Sequence, residues 1–140
     1  MLKRCNTVKT IQVAAGIIIH DDKILITRRA PKENFAGRWE FPGGKIEPNE
    51  MPEDCLVREI KEELNIDVLV DRFCAEITYD YGNLIVHLMT YYCRIIGGEI
   101  HISVHDAYKW ADVKDLLKYD FLPADVPIIK KVMEEYAGKN

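Results

Sequence analysis

A paired glycine followed by a helix crowded with carboxylates constrains this chain more than any other stretch. Gly43 and Gly44 predict a turn, and Pro52, shortly after them, suits the first turn of a helix. From Pro52 to Leu64 the apolar residues recur at the i, i+4, i+8 spacing of one amphipathic helix. The buried stripe predicted from this spacing consists of Leu56, Val57, Ile60 and Leu64.

Three carboxylates of this helix lie beside the predicted stripe. Glu59, Glu62 and Glu63 share an arc of about 100°. On an exposed helix each such pair is repulsive by roughly 0.2–0.5 kcal/mol. A hard divalent cation removes that penalty, because carboxylate oxygens are the ligands that Mg²⁺ or Mn²⁺ prefers. The alternative is a solvated face on which Asp54, Arg58 and Glu62 form an i, i+4 ion-pair ladder.

The full spacing of these residues is Gly44, five residues, Glu50, seven residues, and then the charged run 58–66. This pattern resembles the Nudix box, the signature of hydrolases that cleave a nucleoside diphosphate linked to another moiety. One position departs from it, because the family has Gly where this chain has Asn65. Asn is the next-best residue for the left-handed turn that ends a helix, so the departure concerns the helix end and not the chemistry.

The resemblance implies a site for Mg²⁺, with Mn²⁺ as an alternative. The metal ligands that it predicts are the backbone carbonyl of Gly43 and the carboxylates of Glu59, Glu62 and Glu63. Glu59 or Glu62 would act as the general base, and the sequence does not separate the two. Arg58 belongs to the predicted catalytic set as the residue that holds a carboxylate such as Glu50 by a bidentate bond.

Members of the mutator-type (MutT-like) group often use a further carboxylate, six residues before a Trp. The Trp here is Trp110, and that position is Val104. Asp106 or Glu99 would then replace the missing carboxylate, or the helix cluster would suffice alone.

The same resemblance predicts the residues that contact the nucleotide. They are Arg29, Asn34, Glu40, Phe41, Pro42, Gly43 and Asp125. By default a pair such as Arg28-Arg29 would be surface charge, and only the resemblance assigns Arg29 to substrate. Asp125 lies in a segment, 121–127, that resembles the MutT segment in which an Asn reads oxidised guanine. The segment is more similar still to the bacterial CTP pyrophosphohydrolase branch.

Asp125 is the predicted reader of the base. An ionised Asp accepts hydrogen bonds and would suit the amino group of cytosine, whereas a protonated Asp also donates, which would suit an oxidised purine. A purely structural alternative is that Asp125 caps the final helix.

The function implied is a Mg²⁺-dependent nucleoside triphosphate pyrophosphohydrolase. It would release a nucleoside monophosphate and pyrophosphate from CTP or from oxidised nucleotides, and so cleanse the nucleotide pool. An 8-oxo-dGTP diphosphatase is the alternative substrate assignment. A non-catalytic Nudix module that senses nucleotides is the alternative of another class.

Apolar runs and turn residues along the chain predict an α/β fold, and the resemblance implies the Nudix α/β/α sandwich around a mixed β-sheet. The predicted strands are 13–19, 23–29, 38–41, 66–81, 83–96 and 99–104. A short helix is predicted at 113–118 and a last helix from about Ala124, with Ile128, Ile129, Val132, Met133 and Tyr136 at core spacing.

Charge and composition limit the classes of partner and the cellular location that we expect for this protein. We expect one domain over residues 1–140, with 1–8 a loose segment. A net charge of −4 argues against a nucleic-acid polymer as partner, and no apolar stretch has the length of a membrane span. The four cysteines show no C-x-x-C spacing, which indicates reduced thiols and, with no signal-peptide pattern at the N-terminus, a cytoplasmic protein. We expect a monomer or a homodimer. Four tyrosines (79, 81, 91 and 92) suit base stacking or sheet packing alike, and the four histidines are interpreted as packing or surface residues.

Overall fold

The computed structural model describes residues 8–137 of the chain. In chain order the elements within that part are β1 (Lys9–His20), β2 (Lys23–Arg29), β3 (Trp39–Glu40), β4 (Gly43–Lys45), α1 (Pro52–Leu64), β5 (Ile66–Asp80), β6 (Leu84–Gly98), β7 (His105–Asp112) and α2 (Val126–Ala137). Two 3-10 helices, Val113–Lys118 and Pro123–Asp125, precede α2.

Strand β1 is the centre of a mixed sheet. Its residues 9–18 pair in parallel with β6, and β6 pairs antiparallel with β5 at the sheet edge. The other edge of β1 pairs antiparallel with β4 at residues 13–15 and with β2 at residues 19–20. Strand β2 then carries β3 and β7 as antiparallel neighbours. The predicted mixed sheet is therefore confirmed.

The two α-helices lie on opposite faces of this sheet. Ala14 and Ile18 of β1 belong to one core cluster, together with the buried residues of α1. Ala15 and Ile17 belong to a second cluster, which contains Ile128, Ile129 and Val132 of α2. Because successive strand residues point to opposite faces, the two clusters are separate cores, one on each side of β1. This is the predicted α/β/α sandwich.

Helix α1 has the predicted bounds, but its buried face is rotated from the predicted stripe. Leu56, Ile60 and Leu64 are fully buried, whereas Val57 is 38% exposed and Cys55 is buried in its place. The stripe is therefore centred nearer to the carboxylates than the apolar pattern suggested. Asn65 ends the helix at φ 61° and ψ 29°, the left-handed conformation expected of it.

The paired glycines form strand β4 and not a turn, so that prediction was wrong. A Cβ on Gly43 would lie 2.0 Å from the backbone oxygen of Ala14, and a Cβ on Gly44 would lie 2.3 Å from the carboxyl carbon of Glu59. The glycines are needed because the backbone of β4 lies against β1 on one side and against a helix carboxylate on the other.

The strand predicted at 99–104 does not form. Ile100 and Ile102 do pack against the α1 core, which explains the alternating pattern. The backbone amides, however, bond to the end of α1. His101 N–H donates to Leu64 O at 2.9 Å, and Ser103 N–H donates to Glu63 O at 3.3 Å. This segment thus satisfies helix carbonyls that lack intrahelical partners. A strand does follow this segment. It is β7, which begins at His105, pairs with β2 and was not predicted.

The two predicted helices after β7 are both present. The helix at 113–118 is confirmed as a 3-10 helix, and α2 begins at Val126 with the predicted core residues inward. Cys55, Cys74 and Cys93 are free and buried. The loose segment predicted at 1–8 and Cys5 fall, except for Val8, outside the described residues. Within 8–137 no helix combines the length and apolarity that a membrane crossing requires.

Candidate active site

A cavity of about 490 Å³ opens between the acidic face of α1 and the segment that leads into α2. The predicted site residues that line it are Arg29, Asn34, Glu40, Phe41, Gly43, Glu59, Glu63 and Asp125. The predicted residues outside its lining are Pro42, Arg58 and Glu62. Pro42 is buried, and its carbonyl accepts a hydrogen bond from Gly16 N–H at 2.8 Å.

Arg58 holds the charges at the acidic end of the cavity. Its Nε and Nη2 donate to the two carboxylate oxygens of Glu50 at 2.8 and 2.9 Å, which is the predicted bidentate bond. Its Nη1 donates to Glu59 at 3.1 Å and to Glu62 at 3.2 Å. Hydrogen bonds from Arg58 and from the backbone of Glu47 lower the pKa of Glu50 to about 2, and the same bond raises the pKa of Arg58. One guanidinium therefore anchors three carboxylates.

Glu59 and Glu63 point into the cavity, whereas Glu62 points to solvent. Because of the rotated buried face, Glu63 and Glu59 lie close to the line of Leu56 on the helix surface. Their side chains are 21% and 16% exposed, against 59% for Glu62. Burial, followed by the charges of Glu59 and Glu40, raises the pKa of Glu63 to about 8. The site thus contains two neighbouring, partly buried carboxyl groups, of which Glu63 has a raised pKa.

This pair fits a divalent cation, although the full ligand set is not assembled. Among residues 8–137 no three His, Cys, Asp or Glu side chains surround one point at metal-binding spacing. Glu62 is bonded to Arg58 instead of joining the other two glutamates. Two neighbouring carboxyl groups, with the pKa of Glu63 raised by burial and by the charge of Glu59, are nevertheless the donor chemistry that a hard cation favours.

The backbone carbonyl of Gly43 suits the same cation. Gly43 lies opposite Ala15 in the antiparallel pair of β4 and β1. The flanking hydrogen bonds run from Gly16 N–H to Pro42 O and from Ile46 N–H to Gln12 O. In this register Gly43 and Ala15 form a non-hydrogen-bonded pair. Its carbonyl therefore points away from β1.

His105 is a site residue that the sequence reasoning missed, because the histidines were interpreted as packing or surface residues. It follows Val104, and its side chain is only 4% exposed. Its Nε2 donates to Oε2 of Glu40 at 3.0 Å and lies 4.0 Å from Oε1 of Glu63, while Nδ1 has no partner within the described residues. The proposed substitutes for the missing carboxylate lie elsewhere, since Asp106 pairs with Arg28 at 2.8 Å and Glu99 does not line the cavity.

Arg29 connects this histidine to the loop at residues 30–38. Its Nη1 donates to Oε1 of Glu40 at 3.0 Å, and its Nε donates to the backbone oxygen of Asn34 at 2.6 Å. Glu40 therefore lies between Arg29 and His105, bonded to both. The two neighbouring arginines differ in their contacts, because Arg28 pairs with Asp106 while Arg29 lines the cavity. Substrate contact by Arg29 stays a prediction.

Asp125 lies at the opposite end of the cavity, buried among apolar groups. The backbone of Phe41 hydrogen-bonds its carboxyl group, but Oδ2 has no partner within residues 8–137. Burial, followed by the charge of Glu40, raises the pKa of Asp125 well above its usual value. Asp125 lies in the 3-10 helix directly before α2. An unpartnered buried oxygen of this kind is the feature expected of a ligand-reading group.

Two aromatic residues also line this end of the cavity. Tyr81, which the sequence assigns equally to stacking or to sheet packing, lines the cavity together with Phe35, a residue that the sequence does not mark as part of a site. Lys45 also lines the cavity. No pattern in the sequence near Phe35 indicates a role, because the loop has neither strand nor helix periodicity.

The chain is similar to proteins of a known family and to solved structures. Residues 10–133 match the NUDIX domain family model. The chain is 36% identical to the CTP pyrophosphohydrolase of Escherichia coli over 94% of its own length and 97% of that protein. It is 34% identical to the 8-oxo-dGTP diphosphatase of the same organism, over 89% of its length and 97% of that protein. The solution structure of the E. coli ORF135 protein superposes with a TM-score of 0.82 at 34% identity, covering 98% of both chains.

Proposed function

The chain belongs to the NUDIX family, and from that premise we propose that it is a Mg²⁺-dependent pyrophosphohydrolase of nucleoside triphosphates. The reaction would release a nucleoside monophosphate and pyrophosphate. We favour CTP-type pyrimidine triphosphates, including oxidised dCTP, as substrates. A non-catalytic sensor is disfavoured, because the glutamates and the arginine of the signature are all present.

One observation carries the proposal. A single cavity joins a partly buried carboxyl pair, Glu59 and Glu63, to a buried carboxyl, Asp125, through apolar walls. The first end suits a cation and phosphate oxygens, and the second suits a polar edge on a flat apolar ring. A nucleoside triphosphate has both kinds of group at its two ends. A substrate with only one of them would leave half of the cavity without a partner.

The residues proposed to hold Mg²⁺ are Glu59, Glu63 and the carbonyl of Gly43, with Glu62 joining if it leaves Arg58. When bound there, the cation would neutralise phosphate charge and lower the pKa of a bound water. Mn²⁺ has the same preference for oxygen and would replace it.

The other charged residues have roles that follow from their contacts. We propose Glu59 over Glu62 as the group that takes the proton from the attacking water, because Glu59 lines the cavity and Glu62 does not. Arg58 positions Glu59 by its hydrogen bond at 3.1 Å and does not reach the cavity. Arg29 and Lys45 would supply positive charge to the phosphate chain.

Asp125 would read the base with the oxygen that lacks a partner. Because burial favours the neutral acid, which is the second of the two forms predicted from the sequence, this group can donate as well as accept. The cytosine edge offers an acceptor nitrogen and an amino donor, and so matches it. Oxidised guanine also offers a carbonyl acceptor, which keeps 8-oxo-dGTP as the second candidate. The identity to the CTP pyrophosphohydrolase supports the first.

The test is pyrophosphate release from a panel of substrates with Mg²⁺ and with EDTA. The panel consists of CTP, 5-hydroxy-dCTP, 8-oxo-dGTP, dGTP and ADP-ribose. We expect Mg²⁺-dependent turnover that is fastest on a cytosine nucleotide. Absence of turnover on every triphosphate would contradict the enzymatic proposal. A large preference for 8-oxo-dGTP would contradict the pyrimidine assignment alone.

We further propose a cytoplasmic location and free nucleotides, not nucleic acid, as the partner. Net charge −4 and the buried, free thiols of the described cysteines support both. A monomer and a homodimer are equally compatible with this proposal, and sedimentation of the purified protein distinguishes them.

A further inference from the structure

We infer that Phe35 and Tyr81 form a stacking wall for the nucleobase, with Phe35 as a determinant of substrate affinity. This inference rests on the proposed function, because it assumes that the base enters the end of the cavity that contains Asp125. Both rings line the same cavity as Asp125, and they come from two loops that are far apart in the sequence. Base stacking on exposed aromatic side chains is a general mode of recognition, since every base has a π-face.

Phe35 is held in a conformation that a core residue would not need. Its backbone has φ 59°, a value at which a bulky residue is an outlier. Its side chain is 46% exposed, and it belongs to neither of the two core clusters. Strained and solvent-exposed aromatic residues at a cavity indicate function more than packing.

Hydrogen bonds from the cavity residue Arg29 and from neighbouring backbone groups hold the loop around Phe35 in position. Arg29 Nε donates to the backbone oxygen of Asn34 at 2.6 Å, directly before Phe35. Arg38 N–H donates to Phe35 O at 3.1 Å, and Gly37 N–H donates to Arg29 O at 3.0 Å. Arg29 therefore connects the phosphate-binding charge to the position of the Phe35 ring.

Tyr81 gives the wall its second ring and its connection to Asp125. The centroids of Phe35 and Tyr81 are 5.2 Å apart with an interplanar angle of 48°, and Tyr79 packs behind Tyr81 at 4.6 Å. The hydroxyl of Tyr81 accepts a hydrogen bond from the backbone N–H of Ala124 at 3.1 Å. The residue after Ala124 is Asp125, so the stacking wall and the edge-reading carboxyl are fixed to one another.

The experiment compares Phe35→Asn with Phe35→Tyr. Asn tolerates a positive φ and removes the ring, whereas Tyr keeps the ring. The matched control is Phe73→Ala, which removes an aromatic ring of similar exposure (47%) that lies outside the cavity. Each protein is assayed with the best nucleoside triphosphate of the panel and with ribose 5-triphosphate, which has no base.

For Phe35→Asn we expect KM for the nucleotide to rise about 10-fold or more, with kcat changed less than about 3-fold. Phe35→Tyr and Phe73→Ala should retain the wild-type KM, and no variant should change the KM for ribose 5-triphosphate. An unchanged nucleotide KM in Phe35→Asn would overturn this inference and leave the proposed function intact. So would an equal rise for the substrate without a base. A wild-type protein that hydrolyses no nucleoside triphosphate would overturn the proposed function and the inference together.

Discussion

The two ends of the cavity are built in opposite ways. The acidic end comes from one continuous stretch, β4 and α1, and its charges are connected through the hydrogen bonds of Arg58. The base end comes from segments far apart in the sequence, represented by Phe35, Tyr81 and Asp125. It contains a buried carboxyl oxygen with no partner in the described part of the chain.

Because of this difference, we expect a substitution at the acidic end to affect neighbouring residues and a substitution at the base end to affect mainly the binding of the base. At the acidic end a lost charge alters the pKa or the position of its neighbours, because the groups share hydrogen bonds and a low-dielectric environment. At the base end the side chains are joined by the contact of the Phe35 and Tyr81 rings and by the hydrogen bond from Ala124 N–H to the Tyr81 hydroxyl, and not through a shared charge. A substitution there should therefore alter how the base is bound and leave the chemical step intact.

The largest effect should come from Glu63→Gln, which breaks the acidic end. Removing a buried ligand of the proposed cation should lower kcat by about 10³-fold, since several kcal/mol of charge stabilisation are lost. Steady-state kinetics at saturating Mg²⁺ measure this loss. Glu62→Gln is the matched control, and its loss should be smaller because Glu62 is 59% exposed and outside the cavity. Equal losses would contradict the difference between the two positions.

Asp125→Asn and Asp125→Ala test whether Asp125 reads the base. An amide donates and accepts without ionising, so it should serve the carbonyl of oxidised guanine as well as the neutral acid does. The neutral acid and the amide meet the same acceptor nitrogen and amino donor of cytosine, so the ratio of kcat/KM for 8-oxo-dGTP to that for CTP should change less than about 3-fold in Asp125→Asn. Asp125→Ala leaves the base edge unpaired and should lower both values by about 10-fold, on the order of one lost hydrogen bond. Competition assays with both nucleotides give the ratio directly, and wild-type values in Asp125→Ala would exclude base reading by this residue.

His105 is the point where the two ends meet, and its replacement tests whether they act independently. Without its N–H, the carboxylates of Glu40 and Glu63 would lose the group between them, and Glu40, the partner of Arg29, would be held from one side only. For His105→Ala we expect KM to rise about 10-fold for CTP and for 8-oxo-dGTP alike, the usual cost of removing an orienting group.

His105→Gln retains an N–H donor and should recover most of that loss. The matched control is His101→Ala, which changes an exposed histidine that does not line the cavity. A selective effect on one nucleotide would show that His105 belongs to the base end.

The pKa of Glu63 makes a prediction for the metal-free protein. Because its folded pKa of about 8 lies above its ordinary value of 4.5, the folded state binds more protons between these two pH values. The free energy of unfolding should therefore fall as the pH rises from about 5 to 8, by at most about 1.4 kcal/mol per pH unit. Urea unfolding in EDTA measures the slope. Glu63→Gln should reduce it, and an identical slope in that variant would assign the titration to another group.

The sequence predicted the acidic end better than the base end for a physical reason. The bounds of α1, the bond between Arg58 and Glu50 and the helix stop at Asn65 all follow from residues close in the chain. Local spacing determines which side chains meet on a helix. The rotation that buries Cys55 and exposes Val57 was missed, because the packing of α1 against β1 decides it.

Errors concentrated where distant segments pair. The alternation at 99–104 resembles a strand, but its backbone bonds the end of α1, and the real strand β7 follows it. His105 was overlooked for this reason, since its role depends on the register of β7 against β2. The paired glycines were interpreted as a turn because a close approach by Glu59 and Ala14 leaves no mark in the local sequence.

The smallest effect should come from Asn65→Gly, at the position where the chain departs from the family pattern. Asn65 has φ 61°, its N–H donates to Lys61 O at 3.0 Å, and its side chain donates to Glu99 O at 3.3 Å. Gly removes the strain of the left-handed conformation but loses the side-chain bond and gains freedom in the unfolded chain. These terms oppose one another, so thermal unfolding should change by less than about 1 kcal/mol, and kcat/KM by less than about 2-fold. Asn65→Ala, which keeps the strain without the bond, should destabilise by about 1 kcal/mol with the same activity. A loss of activity in Asn65→Gly would mean that the helix end reaches the carboxyl pair, and the acidic end would then extend further than its hydrogen bonds indicate.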